Sequence, residues 1–486
     1  MTTVESVLGW HRLDRRMLLV HPVREVVRFL PAVIGLLLFG RSSDSGGIWG
    51  LVAVGVPVAL GIMRYLTTSY RLTASRVEVR HGLLNKRVVS APLDRVRTVD
   101  LTASPIHRAL GLVTLRIGTG QSSAKGEDRL ILDGLSSPEA AEFRQRLLHA
   151  SPTAEVADEA GDDGRRVVLT LDPRWVRFAP LTSAGVVIAG AALGLLAQAI
   201  HTLEWAPTVD VDRLERLGVL LLVVIGLLGF AVTLCVLAVV GYLITNFGFQ
   251  LTHTGSGGAW HLRRGLFTTR ETTLDDARVS GVSIGEPVGL RLAHGARLSA
   301  IVTGLDQKQQ GSSVLVPPAP RREVDRVAAE VLGHAGPVVG DLVRHGPRAR
   351  RRRWTRSMAP AGLLAAAAAL TSYAVSWWFL LVVATALVVG ALLARDRWNG
   401  LGHALVDGHL VARSGSLDRR REALQTPSVI GWNLEATWFQ RRAGLTDLVA
   451  TTAGGRQRVR VLDLDDPVAV DLAAATTPGL LDQFLA

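Results

Sequence analysis

The stretch SYRLTASRVEVRHGLLNKRVVSAPLDRVRTVDLTASPIHRALGLVTL, residues 69–115, carries the fold in its spacing. Val77, Val79 and His81 alternate with Glu78 and Arg80, and Gly82 punctuates the run before a second β-rich segment. Alternation of period two, broken by glycine, is the pattern of strand, turn and strand. Two more strands are expected at Leu112 to Gly118 and Arg129 to Leu132. In SSPEAAEFRQRLLHA the pattern changes: Ser137 is placed as an N-cap, Pro138 at the first helical position, and Phe143 and Leu147 lie four apart. That is the signature of an amphipathic helix, so a small β-domain closed by one helix is predicted.

The same order recurs downstream. FQLTHTGSGGAWHLRRGLFTTRETTLDDARVSGVSI puts Gly265-Leu266 in the place of Gly82-Leu83, with a later strand near Arg297 to Val302 and a helix in RREVDRVAAEVLGH, where Val324, Val327 and Val331 share a face. A third copy begins at HALVDGHLVARSGSLDRRREALQ, with Gly415 at the turn. The knot TASPIHRALGL (102–112) returns as EATWFQRRAGL (435–445), keeping Arg108, Gly111 and Leu112 as Arg441, Gly444 and Leu445. A period near 160 to 170 residues is too long for a solenoid and implies repeated domains.

Between these segments the chain is apolar. Hydrophobic residues make up 48% of the 486 and the mean hydropathy is +0.28, concentrated in long uncharged runs as in a multi-pass membrane protein. Phe178 to Leu203, Leu217 to Leu251, and Ser357 to Ala394 with a turn near Ser372 to Ser376, supply four spans. Ile48 to Leu66 and the shorter Phe29 to Gly40 supply a first pair, for which a re-entrant hairpin is the alternative. Arginines 12, 15, 16, 71, 76, 174, 177, 395 and 397 flank the outer ends of the hairpins, whereas the connector EWAPTVDVDRLERLG is acidic. The positive-inside bias then puts both termini and the large loops in the cytoplasm. The formal charge of +12 reads as this topology signal, and nucleic acid is not an expected partner. The single cysteine, Cys235, forms neither an intramolecular disulfide nor a cysteine metal cluster.

The motifs YRLTASRVEVRHGLL, PLDRVRTVDL and SPIHRALGLVTL resemble the bacterial pleckstrin-homology-like (PH-like) family, also described as membrane-flanked domain proteins, of the YdbT-like type. The match is close from Tyr70 to Leu115; in the third copy Thr437 and Trp438 replace Ser104 and Pro105, and the second, GEPVGLRLAHGARLSAI, departs most. The resemblance implies a bent seven-stranded β-sandwich capped by a C-terminal helix. It implies no enzyme; some members are associated with resistance to antimicrobial peptides and accompany a smaller single-domain relative.

The expected fold is membrane α-helical hairpins plus α+β: about six transmembrane helices in three pairs, each pair followed by a PH-like β-sandwich closed by a helix. The divisions are hairpin 23–66, domain 67–150, acidic linker 151–177, hairpin 178–245, domain 246–335, basic linker 336–356, hairpin 357–394 and domain 395–486.

No catalytic motif emerges. GTGQSSAKGEDR lacks the lysine order of a phosphate loop, since Lys125 precedes Gly126, and His107, His253, His261 and His294 have no metal-ligand spacing. No enzyme activity, cofactor or metal is expected. Candidate contacts to a partner or lipid are Arg95, His107, Arg108 and Arg441 in the knots, and Arg350, Arg351, Arg352 and Arg353 in the run RHGPRARRRRWTR. Turn chemistry alone accounts for Pro105 and Gly111, and topology alone for the arginine run. Two functions fit: a scaffold in the bacterial cytoplasmic membrane, acting through another membrane protein such as a smaller PH-like relative in envelope stress, or a protein that binds or moves anionic lipid.

Overall fold

The computed structural model describes residues 10–28, 55–73, 76–81, 87–92, 98–118, 130–143, 165–182, 219–255, 258–303, 313–374 and 379–480, apart from isolated positions within them. The chain divides into two compact units. Unit one comprises Met1–Thr170, Gly248–Asp276 and Gly304–Ser312; unit two comprises Leu171–Phe247, Ala277–Thr303 and Ser313–Ala486.

Unit one opens with β1 (His11–Arg12) and α1 (Met17–Arg28), followed by β2 (Ser69–Leu72), β3 (Arg76–His81) and β4 (Arg87–Pro92). The four strands form one antiparallel sheet in chain order. Next come β5 (Thr98–Ala103), the short helix α2 (Pro105–Ala109), β6 (Leu112–Gly118), β7 (Leu130–Ser136) and β8 (Arg165–Thr170). β9 (Gln250–Thr254), β10 (Ala259–Arg264) and β11 (Thr269–Asp275) complete a seven-stranded sheet in the order β7-β6-β5-β11-β10-β9-β8. The alternation read in the sequence is now explained: Val77 and Val79 of β3 are buried against Leu115 and Ile117 of β6 and Leu132 and Leu135 of β7. Side chains on one face of a strand recur every second residue, so one valine pair suffices to set which face meets the other sheet.

Unit two begins with a 3-10 helix, Pro173–Leu181, and α3 (Val219–Asn246). β12 (Val279–Pro287), α4 (Val288–Leu292), β13 (Gly295–Val302), β14 (Val314–Pro320) and α5 (Arg321–Leu332) follow, then the long helices α6 (Pro347–Ala374) and α7 (Phe379–Asn399). The unit ends with β15 (Gly402–Val406), β16 (His409–Ser414), β17 (Asp418–Gln425), β18 (Gly431–Glu435), α8 (Trp438–Ala443), β19 (Leu445–Thr451), β20 (Arg458–Asp465) and α9 (Asp466–Thr476). A six-stranded sheet runs β14-β13-β12-β17-β16-β15 and a three-stranded one β18-β19-β20. Leu410, Ala412 and Leu424 of the larger sheet pack with Leu448, Ala450, Val459 and Val461 of the smaller, and Ala469, Leu472 and Ala473 of α9 complete this core.

Six transmembrane helices in three pairs are not what the structure has. Among the described residues, two helices are long and apolar enough to cross a membrane: Leu228–Asn246 within α3, and α7, Phe379–Asn399. The rest of the described chain is dominated by antiparallel sheet. In the C-terminal pair the reason is composition: α6 spends its first turns on the arginine run and then continues largely on alanine, a weaker apolar residue than the leucine and valine of α7. It packs along α7, where Gly390 lies against Ala361 and Met358. The expected start of the third span is instead the 3-10 helix, in which Trp175 and Phe178 are buried. The expected run Phe29 to Gly40 and most of the stretch up to Leu203 lie outside the described residues.

The separate sandwich expected for each copy is also corrected. β5 pairs with β11 from Thr269↔Ala103 to Thr273↔Val99, and β12 pairs with β17 from Gly281↔Leu424 to Pro287↔Asp418. Strands from successive segments therefore share sheets. Edge strands carry unpaired backbone donors and acceptors, and joining them in this way satisfies those groups.

Candidate functional site

The third-segment knot folds as α8. Thr437 and Gln440 form a reciprocal capping box: Thr437 N donates to Gln440 Oε1 at 2.9 Å and Gln440 N to Thr437 Oγ1 at 3.4 Å. Gly444 ends the helix at φ 61°, a left-handed conformation that costs glycine nothing. The box leaves the Gln440 amide free to turn inward, where Nε2 donates to Asp447 Oδ1 at 2.7 Å and Asp463 Oδ1 at 3.0 Å.

Asp463 is the hub of the site. Its side chain is fully buried and its backbone adopts φ 55°, while its N–H donates to Asp447 Oδ1 at 2.8 Å. Two guanidinium groups from α6 close on it: Arg352 pairs with Oδ1, and Arg353 Nη2 lies 2.5 Å from Oδ2. Burial pulls the Arg353 guanidinium below its ordinary value, and the Asp463 charge opposes that shift. A buried carboxylate requires such partners, because an unpaired charge in a low dielectric is costly.

In front of this cluster lies a pocket of about 510 Å³ lined by Arg352, Arg353, Arg356, Arg397, Thr437, Gln440, Asp447, Arg460 and Leu462. It sits at the base of α6 and α7: Arg356 immediately precedes the apolar run that starts at Ser357, and Arg397 occupies the last turn of α7 and donates to Ser357 Oγ at 3.0 Å. Arg460 reaches across from β20, 3.6 Å from Asp447 and 2.5 Å from Glu435. Five guanidiniums face two carboxylates around the cup, counting Asp463 behind it. Such a site suits an anion with several oxygens, because guanidinium forks match phosphate geometry.

The first-segment knot is built alike but closed. Ser104 caps α2, His107 Nδ1 lies 2.6 Å from Ser104 Oγ, and His107 Nε2 lies 3.2 Å from Asp133 Oδ1, which also accepts from Thr114 at 2.5 Å. His107 thus stands where Gln440 stands, and its carboxylate partner Asp133 is one residue before Gly134, the left-handed position that Asp463 occupies in the third segment. Met17 and Val20 of α1 are buried in this segment's core with Leu112. In the middle segment Leu290 of α4 is buried and its cap, Pro287, makes no side-chain bond.

The expected site residues divide sharply. Arg352 and Arg353 line the pocket; Arg350 lies over the Trp398 ring at 5.5 Å, and Arg351 is exposed. Arg441 is exposed on α8 and does not line the cup. His107 is buried, and Arg108 Nη1 donates to Leu266 O at 2.8 Å beside a shallower hollow of about 390 Å³. Arg95 lies outside the described residues. Sequence reasoning missed Arg356, Arg397, Arg460, Gln440 and Asp463. The Thr437-x-x-Gln440 spacing is a legible capping box, but nothing in the sequence joins it to residues from α6 and β20.

Residues 25–151 and 360–474 match the family described as bacterial PH domain. These two segments are similar to bacterial PH domains, which supports a PH-like protein, and two helices among the described residues are long and apolar enough to cross a membrane. No curated protein and no solved structure matches the chain.

Proposed function

We propose that this is a non-enzymatic protein of the bacterial cytoplasmic membrane, with both termini cytoplasmic, that binds the phosphate of an anionic lipid headgroup in the pocket beneath α6 and α7. The observation that carries the reading is the convergence of Arg356, Arg397 and Arg460 at the foot of the apolar helix α7 and of α6, which packs along it. Juxtamembrane arginines attract anionic lipid at about 1 kcal/mol per charge, and the positive-inside bias favours the cytoplasmic leaflet. Asp463 holds both Arg352 and Arg353 and offsets one of their two charges, so the site stays net positive and Arg356 and Arg397 are the cations that face the ligand. Kinship to the YdbT-like type, with the middle segment as a diverged third copy, is supported by its order of three strands, three strands and helix.

The test is purification of the full chain from native membranes in mild detergent, with co-eluting lipids and proteins identified by mass spectrometry. Anionic lipid should be enriched, and Arg356→Gln with Arg397→Gln should reduce that enrichment by roughly thirtyfold, for about 2 kcal/mol lost. A stoichiometric protein partner with no enriched anionic lipid would replace this reading with the scaffold.

A further inference from the structure

We infer that α8 is a membrane-inserting tip: Trp438 and Phe439 sit in the interfacial layer of the same leaflet whose headgroups face the arginine pocket. The two rings are exposed, Trp438 at 54% and Phe439 at 73%, although they follow directly on a well-formed cap. They stack edge to face at 5.0 Å, and the Arg442 guanidinium lies 4.9 Å from the Trp438 ring. Aromatic residues this exposed are not core, and an aqueous site leaves their apolar surface uncompensated.

Their height relative to the apolar helices follows from two contacts. At its C-terminal end α8 lies against the start of α6, where Arg348 Nη1 would come within 3.1 Å of a side chain at Gly444. At its N-terminal end Thr437 lines the pocket with Arg356 and Arg397. From Arg348 to Arg356 a helix rises about 12 Å at 1.5 Å per residue. α8 therefore climbs alongside α6, and its aromatic end arrives level with Ser357, where the charged run gives way to the apolar one. Trp and Phe at that depth, backed by exposed Arg441 and Arg442 on the same helix, fit the headgroup and upper acyl region of an anionic leaflet. α4 presents a second such tip: Arg291 holds Asp396 of α7 at 3.0 Å, and the next residue, Leu292, is 77% exposed.

The inference rests on the seating of α6 and α7 in a membrane but not on what fills the pocket. Its test uses the full chain in a Cys235→Ser background, with an environment-sensitive fluorophore at Phe439→Cys or Ile430→Cys, in vesicles of phosphatidylglycerol and phosphatidylcholine. Ile430 is a matched control, equally apolar and 63% exposed. It lies at the far end of the domain, because neighbouring Trp432 donates to Thr477 at the end of α9, whereas Asp465 at the start of α9 lies 3.6 Å from Arg348. The Phe439 probe should be quenched severalfold more strongly than the Ile430 probe by nitroxide on shallow acyl carbons, and less by aqueous iodide. Arg356→Gln with Arg397→Gln should leave that difference in place, which separates this inference from the headgroup reading. Lipid quenching no stronger than at Ile430 would overturn it, whether the probe is open to iodide or shielded by protein.

Discussion

At the scale of single residues, Asp463 holds the site together. It is a fully buried carboxylate between two guanidiniums, and it reached a left-handed backbone position that Asp and Asn accept more readily than other side chains. Asp463→Asn keeps the conformation but removes the carboxylate that Arg352 and Arg353 both pair with, leaving Asp447 as the counter-charge beside them. We expect a loss of about 3–5 kcal/mol, the range for breaking one partner out of a buried pair. A melting curve of the full chain in detergent measures it, and adding Arg353→Gln should restore part of the loss. Purely additive losses would show that the ion pairs carry no coupling. Asp463 looked like any strand-end acid in RVRVLDLDD, because its burial depends on which side chains α6 lays over it.

At the scale of elements, the shared sheets depend on close backbone approach. A Cβ built on Gly281 would lie 2.1 Å from Ala423 O, across the pairing of β12 with β17. Gly281→Ala should therefore cost roughly 3 kcal/mol or more, since neither partner is a flexible side chain. Gly431→Ala in β18, with nothing within 4 Å, should change stability by well under 1 kcal/mol. Thermal unfolding of both variants checks the contrast; equal effects would mean that the joint adds nothing. Element types were legible beforehand: the strand Leu112–Gly118 and the helix over residues 321–332 fall where period two and the valine spacing put them. The knots were read as turns because five or six residues are too few for a helical period to show, and capping by Ser104 and Thr437 made them helices.

At the scale of the whole molecule, the middle segment is divided between two units: β9 to β11 build on the first segment's β5, and β12 to β14 on the third segment's β17. A fragment of residues 395–486 should therefore aggregate or fold loosely, because β17 loses β12 and becomes an open edge. A chain covering residues 277–486 retains that pairing and should show far greater amide protection in β17 by hydrogen exchange. Equal protection in both would mean that the third domain folds alone. The sequence by itself determined the strand-rich domains, their kinship to the bacterial PH domain, the apolar character of α3 and α7, and the basic run that opens α6, since each is written in local periodicity or composition. Tertiary structure alone decided which strands share a sheet, which arginines are spent on Asp463, and which are left at the pocket. Those outcomes depend on partners far apart in the chain, 111 residues for Arg352 and Asp463 and 174 (273 less 99) for Val99 and Thr273, and no local spacing encodes which long-range pair will form.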